Sequence, residues 1–151
     1  MFTLVRRFIK TGIAFLFAGL VLGAFLLVRR ELFGVYASAH LTSAHVHAVG
    51  IGFVMFLILG VALWLFPRAP KEDQRYSPAR MTIVYWLLTI STAVRFVTEI
   101  ARASTNSRLL AWVVVCSGMG QLAGLAFYFW TMWPRIRPVG SHIREQAGER
   151  F

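Results

Sequence analysis

The chain has 151 residues, enough for one domain, but 58% hydrophobic residues and a mean hydropathy of +0.64 exclude an ordinary soluble one. A net charge of +10 raises nucleic acid as a partner. The placement of the charge excludes it, because Lys and Arg sit at the ends of apolar runs and not as a stripe along one element.

Four runs reach the length of a bilayer-crossing helix, about 20 residues at ~1.5 Å rise each. They cover roughly 10–28, 44–66, 81–100 and 109–133. The expectation is an all-α integral membrane four-helix bundle over 1–138, followed by a tail over 139–151. The first helix opens after Lys10 and carries Gly12, Gly19 and Gly23, the last two in a small-xxx-small spacing that permits close helix contact. The basic start, the apolar run and Ala37-Ser38-Ala39 loosely imitate a secretory signal. That run is too long and is followed by Arg29-Arg30-Glu31, so it reads as an uncleaved helix. Residues 29–43 form a connection that leaves the membrane, with Phe33 and Tyr36 suited to the interface and His40 within it. Thr42 and Ser43 are the expected N-caps of the second helix, which Pro67 closes.

The loop over 67–80 holds three of the five prolines and reads as a short connector. The third helix is apolar until Arg95, and Glu99 follows at i+4 on the same face. Charges at that depth face protein or water, not lipid. The fourth helix places Gly118, Gly120 and Gly124 around Gln121, with Cys116 as a small apolar residue, and ends in a run of aromatics. As the only cysteine, Cys116 rules out an intrachain disulfide and a multi-thiolate metal site. His142 reads as a solvated residue of the tail. Eleven basic residues (Arg6, Arg7, Lys10, Arg68, Lys71, Arg75, Arg80, Arg135, Arg137, Arg144, Arg150) face Arg29, Arg30, Arg102 and Arg108 across the spans. The positive-inside rule then puts both termini in the cytoplasm, N-in and C-in, of a multi-pass protein in a prokaryotic plasma (inner) membrane. No nucleotide or hydrolase motif is present.

His45 and His47 stand at the head of the second apolar run, SAHVHAVGIGFVMFLILGVALWLFPR. Two residues on a helix differ by about 200° in direction. The two rings therefore point to nearly opposite sides, and one regular helix does not bring both to one metal ion. They read either as interfacial histidines bonded to backbone or water, or as ligands of heme iron, copper or zinc. Arg95, at similar depth on another helix, reads either as the partner of Glu99 or as an anion partner for a heme propionate.

His45-x-His47, followed by a small-residue-rich apolar helix ending Trp64-Leu65-Phe66-Pro67, resembles the tenth transmembrane helix of the catalytic subunit of heme-copper oxidases and nitric oxide reductases. In that family the first histidine of the pair binds the high-spin heme and the second the low-spin heme. The family's twelve helices form three arcs of four with pseudo-threefold symmetry, and this chain has the length of one arc. The resemblance implies a heme b protein that forms a homo-oligomer, a homotrimer above all, with heme between His47 of one protomer and His45 of the next. It also implies propionate-binding arginines at Arg95, Arg102 and Arg108. Copper-binding histidines on a further helix and a histidine on the fourth helix are absent, so one copy is not a complete oxidase.

The expected function is electron transfer, with a redox partner, or binding of NO or O2 at an open iron position. A different class of function is a copper or zinc membrane protein that assists a metalloenzyme, with His40, His45 and His47 as ligands. A third is a structural or assembly subunit without cofactor. In every case the lipid bilayer is a partner.

Overall fold

The computed structural model describes residues 2–67 and 75–136, together with Ile143 and Gly148. Among these residues are four helices long and apolar enough to cross a membrane, and no strand. They are α1 (Phe2–Phe33), α2 (Ala39–Leu65), α3 (Pro78–Arg102) and α4 (Arg108–Met132), the last followed by a 3-10 turn over Trp133–Arg135. The expectations for Arg68 and Lys71 in the second loop, and for the tail with Arg137, His142, Arg144 and Arg150, lie outside the described residues.

Helix α1 begins well before Lys10, where the sequence pattern places its start. Its first turns are amphipathic: Val5 and Phe8 are buried, while Arg6, Arg7 and Lys10 are exposed and can carry their charges outward on long stems. At the other end it continues through Arg29 and Arg30 until Gly34. That glycine adopts φ 63°, and the N–H groups of Gly34 and Val35 bond back to the carbonyls of Arg30 and Arg29.

Helix α2 also starts earlier than expected. Ser38, not Thr42 or Ser43, is the N-cap, and its hydroxyl accepts from the Leu41 N–H at 3.4 Å. His40 is consequently helical and not in a loop. Directly after His47 the helix widens into a π-helical stretch over Ala48–Met55, then returns to α geometry until Phe66, which is extended as the residue before Pro67 must be. The stretch contains Gly52, where a Cβ would lie 2.6 Å from the Phe15 ring, so the missing side chain admits that ring onto the α2 backbone.

Sequence neighbours pack antiparallel. Along α1 and α2, Gly12 meets Phe53 and Phe56, Gly19 meets Ala48 and Val49, and Gly60 meets Phe8 and Ile9. Along α3 and α4, Gly124 meets Leu88 and Gly118 meets Arg95. Helix association in lipid lacks a hydrophobic drive, and close approach at small residues supplies dispersion contacts instead. The backbone of α4 runs close to α3 but not to α1 or α2. The four helices therefore form a sequential series whose last member reaches α1 and α2 by side chains alone.

That reach is made at the end where α1 begins, here called the basal end. Phe8, Phe56, Tyr85 and Tyr128 form an aromatic cluster there with Leu59, Leu63, Met81 and Met132. The Tyr128 hydroxyl donates to the Leu59 carbonyl at 2.7 Å, and Tyr85 and Thr11 share a hydrogen bond of 2.8 Å. Arg135 is fully buried and donates to the carbonyls of Leu63 (3.1 Å), Phe66 (2.7 Å) and Pro67 (2.8 Å), with the Tyr76 ring 4.5 Å from its guanidinium carbon. These are the open carbonyls of the α2 C-terminus, and a cation is favoured there by the helix dipole. The opposite end has only a small core of Leu22, Leu41 and Ala44. The histidines stand at that thinner end.

Candidate functional site: the two histidines and the buried polar chain

Both histidines lie in the first half of α2, about two turns or more below its Ser38 cap. The His45 ring turns toward α1, where Nδ1 donates to the Gly19 carbonyl at 2.9 Å. It rests on Gly23, and a Cβ at that position would lie 2.7 Å from His45 Cε1. The Gly19 and Gly23 pair thus does two things: it brings α2 close, and it makes room for an imidazole. Beside the ring lies an open cleft of about 270 Å³ whose walls include Leu26, Leu27 and Thr42, with Arg30 at its rim.

The His47 ring bonds within its own helix, on the face whose Ser43 meets α3. Its Nδ1 donates to the Ser43 carbonyl one turn back at 2.9 Å, and the Ser43 hydroxyl stands 3.2 Å from the same nitrogen. That hydroxyl donates to Glu99 Oε1 at 2.7 Å. Arg95 Nε donates to the same oxygen at 3.1 Å, while Arg95 Nη1 donates to Gln121 Oε1 at 3.1 Å and Gln121 Nε2 donates to Thr92 Oγ1 at 3.1 Å. A continuous polar chain therefore joins α2, α3 and α4 inside the apolar span. Glu99 is 2% exposed. Its second oxygen, Oε2, and the Arg102 Nε are buried without a hydrogen-bond partner among the described residues.

The tautomer of each ring follows from chemistry. A carbonyl oxygen only accepts, so Nδ1 carries the proton in both histidines and Nε2 keeps its lone pair. No hydrogen bond reaches either Nε2 among the described residues. An Nδ1–H fixed by a carbonyl is shared by ordinary hydrogen-bonded histidines and by metal-ligating ones, whose second nitrogen is fixed the same way. No family model matches the chain, and no curated protein or solved structure matches it. The residues themselves carry the reading.

His45 meets α1, while His47 shares a helix face with Ser43, which meets α3. Arg95 and Glu99 are paired and turned into protein, as their depth requires. Arg108 is exposed at the start of α4, and Arg102 is half-buried one turn beyond Glu99. His40 shares α2 with the other two histidines but has no bond to them, and among the described residues no three of His, Cys, Asp and Glu converge as a metal-holding group. Cys116 is exposed on α4 and lines an apolar groove with Trp112 and Val94.

Ser43, Thr92 and Arg30 enter the site although no motif marks them as ligands. A signal existed for two of them. Ser43 precedes His47 by one helical turn, and Thr92, Arg95 and Glu99 recur on one face of α3 at i, i+3 and i+7. Arg30 looks like an ordinary interfacial charge until the fold sets it at the rim of the His45 cleft.

Proposed function

We propose that this chain is a four-helix membrane cytochrome of heme b type, built from several copies, in which His47 of one protomer and His45 of the next are the axial ligands. The observation that carries the reading is the pair of Nδ1–H to carbonyl hydrogen bonds, which leaves both Nε2 atoms free to coordinate while holding the His45 ring on α1 and the His47 ring on its own helix. Bound heme supplies reversible one-electron chemistry, or binding of NO or O2 where one axial position stays open. One chain offers half a site. The cleft beside His45 is smaller than the ~300–1,000 Å³ usual for a ligand pocket and is open on one side, which fits completion by a second copy. A homotrimer is the favoured assembly by resemblance to the three arcs of a heme-copper oxidase core.

In this reading the chain's own groups orient the ligands and set the local charge. The Gly19 and Ser43 carbonyls hold the two rings, Arg30, which also pairs with Glu31 at 2.7 Å, lines the His45 cleft as a cation for an anionic cofactor edge, and Arg95 with Glu99 stands behind the Ser43 that holds His47. Arg102 and Arg108 are further propionate partners by the same resemblance. The excess of basic residues at the basal end supports a cytoplasmic location for both termini, in a prokaryotic plasma membrane.

The test is a reduced-minus-oxidised absorption spectrum of protein purified from membranes, with a pyridine hemochrome assay. Sharp alpha and Soret bands that disappear in His47→Ala and in His45→Ala are the expected result. A protein without heme, despite a supplied precursor, overturns the reading. Elemental analysis of the same sample then distinguishes an empty scaffold from a copper or zinc protein in which copies of one histidine converge.

A further inference from the structure

The polar chain behind His47 is more elaborate than a ligand histidine needs for orientation. The Ser43 carbonyl alone fixes the ring, by a 2.9 Å bond within the same helix. Yet Ser43 also sends its hydroxyl proton across to α3, where Glu99 accepts it at 2.7 Å. A hydroxyl whose own proton is committed to a carboxylate has its lone pairs turned to other donors, and the nearest is His47 Nδ1–H at 3.2 Å. Imidazole, hydroxyl and carboxylate are thus connected in one direction, each donor facing an acceptor. Such chains polarise cooperatively in a low-dielectric setting.

Glu99 is well placed to exert that effect. It is 2% exposed, so water screens it little, and its charge is anchored by Arg95 Nε at 3.1 Å on the oxygen that Ser43 uses. Only Oε1 is engaged by these two donors, and Oε2 has no partner among the described residues, so the carboxylate is not neutralised by a bidentate arginine. Gln121 in turn holds Arg95 and is held by Thr92, which leaves the pair little freedom to rearrange.

We infer that Glu99, acting through the Ser43 hydroxyl, is a positioning and tuning residue that strengthens the His47 imidazole as an electron donor to a bound metal. This deepens the heme reading and rests on it for the redox part alone. A stronger donor favours the oxidised, more positive iron, so the relay lowers the midpoint potential. His45 lacks such a relay: its Nδ1 ends on the Gly19 carbonyl, and the carboxylate of α1, Glu31, is bonded to Arg30 and not to a group that His45 uses. The two ligands of one chain are therefore unequal donors.

The experiment compares Ser43→Ala, Ser43→Thr and Glu99→Gln with the native protein in two measurements. The first is the 15N and 1H NMR signature of the His47 ring in the full-length protein without added heme, which needs no cofactor. The expected result is a His47 Nδ1–H proton that moves upfield in Ser43→Ala and Glu99→Gln and stays near its native position in Ser43→Thr. An unchanged resonance in Ser43→Ala overturns the relay whether or not the protein binds heme. The second is a spectroelectrochemical titration of the heme-loaded protein. Ser43→Ala is expected to retain its Soret band and raise the midpoint by about tenfold in the redox equilibrium, ~59 mV for one electron, with Ser43→Thr returning it. A heme-bound Ser43→Ala protein with the native midpoint overturns the tuning role. Failure of heme to bind at all is a failure of the cytochrome reading and leaves the NMR result to decide the relay.

Discussion

Gly23 governs where the His45 ring can sit, because a Cβ at that position would lie 2.7 Å from His45 Cε1. Gly23→Ala is therefore expected to push the ring off the Gly19 carbonyl at a cost of about 1 kcal/mol in stability, the worth of one hydrogen bond. Helix content by circular dichroism should persist while the cofactor bands weaken, and a native spectrum in Gly23→Ala would remove His45 from the ligand set. Arg95 offers a second test at the same scale. Its guanidinium is 19% exposed and stabilises Glu99, so Arg95→Leu removes a cation and leaves a buried carboxylate beside the His47 relay. Both changes favour oxidised iron, and the midpoint should fall by up to about tenfold in the redox equilibrium, ~59 mV. What single residues could reveal in the sequence was direction. The 100° turn per residue sets His45 and His47 on opposite sides of any regular helix. Which atoms they meet depends on the register between helices, and nothing in SAHVH encodes that Ser43 will stand opposite Glu99.

At the scale of elements, apolar length made all four spans legible, and their ends were less so. Charges at the head of α1 look like a boundary in sequence, yet Val5 and Phe8 between them have a core to fill and carry the helix on. Three hydroxyl residues, Ser38, Thr42 and Ser43, could each cap α2, and only packing selects the first. The π-helical stretch was invisible because AVGIGFVM is as apolar and as rich in small residues as any α segment. Deleting Gly50, whose Cβ position faces open space, should return that stretch to α geometry. A π stretch spends about one extra residue on the same turn, so the histidine half of α2 then keeps its facing against the half below. Disulfide trapping between cysteines placed at Ser43 and Glu99 is expected to succeed both in a cysteine-free background and in the deletion, and failure in the deletion would show that the stretch does not relax to α geometry. The basal lock makes a separate prediction. Arg135→Met leaves three α2 carbonyls without donors and should cost about 3 kcal/mol or more, read as a lower detergent denaturation midpoint. Lysine should not rescue it, since a point ammonium cannot span the carbonyls that the guanidinium fork reaches.

For the whole molecule, the proposed pairing of opposed ligands on one helix would require a head-to-tail assembly. A closed ring in which His47 of each copy meets His45 of the next holds one heme per chain, whatever the number of copies. His45→Ala and His47→Ala proteins, each without heme when made alone, should regain it when co-expressed, at roughly a quarter of interfaces under random mixing. A monomer in mild detergent that still binds heme would exclude this arrangement. The open series of helices, with α4 backed by α3 alone at the histidine end, leaves apolar faces that a second copy or lipid can cover. The same architecture has a consequence for how the protein is made. Residues leave the ribosome in order, and the second span is complete long before position 135 exists. Until then its last carbonyls have no donor to close them, so a nascent chain stopped inside the fourth span carries a frayed second one. Arg135 acts as the final rivet of the membrane domain, and a product truncated just ahead of it would be an open substrate for membrane proteases while the full-length chain is not.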